Sequence, residues 1–210
     1  MIAREGRVAV GVALLGALWS GYAGAKPLTA LALAVCALLV WLYASPRRKA
    51  PAAALGLLCP VDGCVTRVEP YRDPWLERDA LRIGIALTPP GVTVLYSVTE
   101  GTIKHLWTKH GAFGEDRLKR SLDASPDCYA LQVQTDEEDD VVLAVSSRWP
   151  VSRCRFDHSP GERVGQGIRF GFFYFASAVD LLAPPGSVPL VAVGDRVRAV
   201  STVLAKLAKK

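Results

Sequence analysis

The sequence predicts a mostly β domain, shaped like a barrel-sandwich hybrid, behind an N-terminal transmembrane helical hairpin. Three observations carry this. Residues 8–25 and 28–44 are charge-free apolar runs, separated by Lys26 and Pro27 alone. Beyond residue 54, short β-branched runs alternate with Gly, Pro and acidic turns, the rhythm of a sandwich or barrel. A turn of the form acidic residue, Gly, β-branched residue recurs. The 210 residues leave room for one ordinary domain and an anchor.

Each apolar run would make a helix of roughly 26 Å, just long enough for a bilayer core of ~30 Å. Trp19 and Tyr22 lie near the end of the first run, Trp41 and Tyr43 near the end of the second. Such rings favour the headgroup zone. Arg4 and Arg7 precede the hairpin, and Arg47, Arg48 and Lys49 follow it, against Lys26 alone in its turn. Positive residues stay inside, so both ends and the β domain are expected on the cytoplasmic side of the inner membrane. A cleaved signal peptide ending at Ala23-Gly24-Ala25 is the bland alternative, and the second apolar run argues against it. A re-entrant or peripheral hairpin is the closer rival, because both runs are short and rich in Ala and Gly. The anchor thus takes residues 1–49, a proline-bearing linker residues 50–54, and the β domain residues 55–210.

Five cysteines, Cys36, Cys59, Cys64, Cys128 and Cys154, form no zinc-ribbon spacing and read as reduced thiols. The net charge of +5 suits anionic lipid. No basic stripe with interleaved aromatics appears, which speaks against nucleic acid.

Within the domain, residues 81–87 alternate and end at Pro89-Pro90-Gly91, and residues 92–98 make a second strand. Residues 129–135 and 141–146 flank the acidic cluster 136–140, which reads as a solvated hairpin turn and not as a metal site. The basic end, residues 203–210, reads as a short helix. Val61-Asp62-Gly63-Cys64-Val65 resembles Thr99-Glu100-Gly101-Thr102-Ile103, and Gly161-Glu162-Arg163-Val164 resembles Gly194-Asp195-Arg196-Val197. Two such pairs suggest two similar sheets folded on each other, as in biotinyl and lipoyl carrier domains. The carriers' attachment lysine, set between small or methionine residues, has no counterpart here.

The order of the motifs is more specific than any one of them. The hairpin leads into Ser45-Pro46-Arg47-Arg48-Lys49-Ala50-Pro51. Cys59-Pro60-Val61-Asp62-Gly63, Ile83-Gly84-Ile85-Ala86-Leu87-Thr88-Pro89 and Glu100-Gly101-Thr102-Ile103 follow in turn. The run from Gly165-Gln166-Gly167 through Phe175-Ala176-Ser177-Ala178-Val179-Asp180 and then Gly194-Asp195-Arg196-Val197 complete the series. Over nearly the whole chain this resembles the phosphatidylserine decarboxylase family in its short bacterial and archaeal form.

The resemblance implies membrane-bound phospholipid biosynthesis, with a phosphatidylserine-like lipid as substrate. It also implies self-cleavage at a Gly-Ser bond: the serine hydroxyl attacks the preceding carbonyl, the ester eliminates, and the new N-terminus becomes a pyruvoyl group. That ketone takes up the substrate amine and the electrons released with carbon dioxide. On this chain Ser177 matches the serine that becomes pyruvoyl, and Asp62 matches the family's aspartate. The cleavage site becomes Ala176-Ser177, with alanine where the family has glycine. Thr93 stands where the family has its histidine, and threonine is no base near neutral pH. The family's Asn-Glu-Arg-Asn element, due near Pro126-Asp127-Cys128-Tyr129, is absent, and Ser152-Arg153-Cys154-Arg155 is the nearest match to its Arg-Arg pair. His105, His110 and His158 are the histidines left to replace the base. No metal is implied, and a homodimer is left open. The alternative reading is a silent relative that keeps the fold and the lipid contact.

Overall fold

Alternating apolar residues and closely spaced glycines give the chain its strands, and two apolar runs parted by Lys26 and Pro27 give it two helices. The computed structural model describes residues 4–24, 26–42, 50–51, 55–110, 127–147 and 153–208. The chain divides into two compact units, Met1–Arg47 and Arg48–Lys210.

The first unit holds helices α1 (Arg4–Tyr22) and α2 (Lys26–Leu42). Gly24, at φ +72°, takes the left-handed conformation that closes a helix cheaply in glycine, and Ala23 N–H donates back to the Trp19 carbonyl at 3.0 Å. Val10, Ala17, Ser20 and Cys36 are buried, while Leu15, Leu18, Trp19, Leu31 and Leu38 are exposed. The expectation of two membrane-crossing helices is not upheld: among the described residues no helix is long and apolar enough to cross a membrane. The reason lies in the bounds. α1 starts earlier than the apolar run and takes in Arg4, Glu5 and Arg7, and α2 has 17 residues. Tyr43 and the cluster Arg47-Arg48-Lys49 lie outside the described residues.

The second unit is mostly β, as the sequence predicts, and its elements among the described residues are all strands. Its strands are β1 (Gly56–Leu58), β2 (Gly63–Asp73), β3 (Arg78–Tyr96), β4 (Gly101–His110), β5 (Asp127–Gln134) and β6 (Asp140–Ser147). They continue as β7 (Arg153–Phe156), β8 (Arg163–Val164), β9 (Arg169–Ala183), β10 (Val188–Pro189), β11 (Arg196–Val197) and β12 (Val203–Lys206). One antiparallel sheet runs β11-β2-β3-β9-β6-β5-β4-β8 with β7 also on β9, and a small sheet runs β1-β12-β10.

The repeated turns prove to be a repeated structure. β11 pairs with the start of β2, and β8 pairs with the start of β4. In one copy Val65 N–H donates to Asp195 and Gly194 N–H to Val65. In the other, Ile103 N–H donates to Glu162 and Gly161 N–H to Ile103. A Cβ at Gly63 would run into the Ala86 carbonyl, and one at Gly101 into the Gln134 carbonyl, so both positions require glycine.

The acidic cluster is the expected exposed turn only in part: Asp136, Glu137 and Glu138 are exposed between β5 and β6, whereas Asp139 is buried and Asp140 opens β6. Two other expectations are corrected. Pro89-Pro90-Gly91 does not end a strand; β3 runs through it, and the ladder to β9 skips from Ala86 to Gly91. Prolines have no N–H for a ladder, so the strand continues by bulging. Residues 203–206 are strand β12, not helix, because pairing with β1 and β10 buries Leu204 and Ala205. Tertiary pairing here overrides the helix propensity of Ala, Leu and Lys.

The larger core cluster sits on one face of the large sheet, and a smaller one around Val142, Ala144 and Leu182 on the other. The larger includes Ile83, Ile85, Leu143, Val145, Val179 and Leu181. Phe170, Phe172 and Phe173 are fully buried, and Phe173 meets Tyr129 edge-on at 5.6 Å. These rings hold β9, the strand that carries Ser177.

Candidate functional site

The site is built where β9 changes neighbours. On one flank β9 pairs with β6 from Leu182 to Ala178, and then with β7 from Tyr174 to Gly171. The Ala176–Ser177 bond lies between the stretches of β9 paired in these two ladders. On the other flank, Ala178 faces Ala86 and Ala176 faces Gly91, so four residues of β3 bulge where one of β9 passes. The regular ladder between β3 and β9 is interrupted beside this bond. Bulges of this kind re-aim groups beside active sites. Ala176 is buried and Ser177 is half-buried.

The register brings Asp62 to the same end. Cys64, Ala86, Ala178 and Ser146 form one row across β2, β3, β9 and β6. Asp62 lies two residues from this row and Ser177 one, so their backbones are about 10 Å apart at ~4.8 Å per strand. The Asp62 carboxylate accepts the Ala199 N–H at 2.9 Å, which ties the start of β2 to the segment following β11.

Thr93 is placed by its backbone opposite Phe173, three residues before Ala176. The position of the family histidine is thus beside the bond, without an imidazole. The three histidines do not fill the gap. His105 is exposed, tilted against Trp107 at 5.5 Å, and reaches β9 only through β5 and β6, about 14 Å across. His158 follows β7, whose Phe156 faces Gly171, about 20 Å along β9 from Ser177. The His110 backbone is in register with Asp127, itself in register with Ser147, two strands further out than β6.

Two features escaped the sequence reading. Arg82 and Asp180 form a buried ion pair at 2.8 Å, with Glu69 at 3.5 Å from Arg82 and the guanidinium 4.6 Å over Tyr71. Burial pushes the Asp180 carboxyl up, and Arg82 pulls it partly back. The pair clamps β3 to β9 three residues from Ser177. The second feature is Ser147, a fully buried hydroxyl at the end of β6. Its signal was in the sequence: Val141, Leu143, Val145 and Ser147 share one phase of the strand, so a polar residue falls in the core-facing series. Cys154, on β7, offers no competing nucleophile, since burial pushes its thiol up. None of the five cysteines is in a disulfide.

The fold and site define a class: a β domain with a serine set in an opened strand and an aspartate near it. The sequence model of the phosphatidylserine decarboxylase family matches residues 35–205. A phosphatidylserine decarboxylase proenzyme of Nitrosomonas eutropha is 35% identical over 98% of this chain and 95% of its own length. The corresponding proenzyme of Nitrosomonas europaea is equally similar, and that of Aromatoleum aromaticum is 31% identical over 99% of this chain and 96% of its own. No solved structure matches. The chain belongs to the phosphatidylserine decarboxylase family.

Proposed function

We propose that this chain is a membrane-held phosphatidylserine decarboxylase of phospholipid biosynthesis that cleaves itself, slowly, between Ala176 and Ser177. The observation that carries the reading is the bulge of β3 beside that bond, with Asp62 on the adjoining rows. An opened strand leaves the Ala176 carbonyl approachable by the Ser177 hydroxyl. Asp62 acts as the base that receives the hydroxyl proton, directly or through water, in place of the histidine lost at Thr93. Burial of Ala176 and the aromatic packing of β9 fix the bond. The pyruvoyl group left at residue 177 would supply the electron sink for loss of carbon dioxide. The Ala176 methyl resists the strained backbone that glycine would allow, which is why cleavage is slow.

The helical hairpin holds the chain on the inner membrane, lying in the bilayer rather than crossing it, with the β domain on the cytoplasmic side. The exposed apolar side chains of α1 and α2 support this, as does the basic cluster at residues 47–49. The repeated turn-strand units support a barrel-sandwich-hybrid shape for the β domain.

Thr93 specifically favours a second reading, a silent relative that keeps the fold and the lipid contact. The test is release of carbon dioxide from phosphatidylserine in mixed micelles by the full-length chain. Release that disappears in Ser177→Ala supports the enzyme; no release above the Ser177→Ala control selects the silent relative.

A further inference from the structure

We propose that the Ser147 hydroxyl stabilises the oxyanion that forms on the Ala176 carbonyl when Ser177 attacks it. This rests on the reading of Ala176–Ser177 as a processing site and adds a residue to it. Ser146 is in register with Ala178, and Ser147 with Asp127 on the far side. One residue further along both strands sets Ser147 across from Ser177, with backbones roughly 5 Å apart. The residue is 0% exposed, so its hydroxyl works in a medium where a donor to a developing charge counts for much more than in water.

The carbonyl points the right way. Ser146 Oγ donates to the Ala178 carbonyl at 3.4 Å, so this edge of β9 presents that carbonyl to β6. Residues two apart in a strand present their carbonyls to the same side, which turns the Ala176 carbonyl toward β6, on the flank where Ser147 stands.

In the step itself the Ser177 Oγ bonds to the Ala176 carbonyl carbon and its proton passes to Asp62. The carbonyl electron pair moves onto oxygen, where Ser147 donates its hydrogen bond. The pair then returns, the carbon–nitrogen bond breaks, and the Ser177 nitrogen takes the proton back. An ester between Ala176 and the Ser177 side chain results.

The test uses the full-length chain with Ser147→Ala and Ser147→Thr, each followed by intact mass with and without hydroxylamine, which cuts the ester and so reports the acyl shift. Ser147→Ala is expected to slow cleavage about 100-fold in both conditions, at an unchanged melting temperature, while Ser147→Thr stays within a few-fold of wild type. If Ser147→Ala melts early, Ser147→Cys, of similar size and a weak donor, must show the same slowing. Cleavage of Ser147→Ala at the wild-type rate overturns the assignment, as does slowing that follows lost stability and is not restored by Thr. A wild-type chain that resists cleavage even with hydroxylamine is a different result: it removes the processing site itself, and this role with it.

Discussion

At the scale of single residues, the site depends on charges that the fold has buried. Arg82 and Asp180 are 5% and 7% exposed at their side chains and sit on neighbouring strands. Removing one partner strands the other in the interior. Arg82→Met, which leaves the buried Asp180 carboxyl without its cation, is therefore expected to cost about 3–5 kcal/mol in chemical denaturation, far more than breaking an exposed pair such as Arg163–Asp136. The pH dependence has a definite sign. Burial raises the Asp180 carboxyl against the opposing pull of Arg82. Its contribution to stability is then fully present below the usual carboxylate pKa of about 3.9 and is lost as pH rises through the folded value. The stability difference between wild type and Asp180→Asn should be larger in mild acid than at neutral pH, and a difference that grows toward neutrality would contradict it.

At the scale of elements, the twin turns explain which glycines matter. Gly63→Ala drives a Cβ into the Ala86 carbonyl, and a loss of roughly 2–3 kcal/mol is expected. Gly161 has open space around it but a φ of +93°, so Gly161→Ala should cost only about 1 kcal/mol. In the acidic turn the logic reverses: Glu138 has φ +61°, and Glu138→Gly should stabilise by about 0.5–1 kcal/mol. Denaturant midpoints of the three variants check the order. These turns were legible in the sequence because glycine, an acidic residue and a β-branched residue have local meanings. The path of β3 through Pro89-Pro90 was not, since a bulge is set by the neighbouring strands and not by the prolines. The strand at Val203–Lys206 was hidden for the same reason: its partners lie about 145 residues away at Gly56–Leu58 and closer by at Val188–Pro189. Asp62 and Ser177 were found through the order of motifs, whereas Ser147 and Arg82 gain meaning only when the register puts them beside β9.

At the scale of the whole molecule, the proposed function asks the hairpin to hold the chain on a membrane. The hairpin's role has a direct check: with residues 1–49 in place, the chain should stay with membranes through high salt and leave them in detergent. Release by salt alone would assign attachment to surface charge. The central claim is narrower and concerns one bond. In the proposed function the bulge of β3 beside Ala176–Ser177 gives access and Thr93 withholds the usual base. The intact mass of the purified full-length chain, followed over days, tests this most directly. The account expects conversion into residues 1–176 and a piece of 34 residues beginning with pyruvoyl, with no conversion in Ser177→Ala. A single species of 22.6 kDa that keeps an unmodified Ser177 throughout would contradict it.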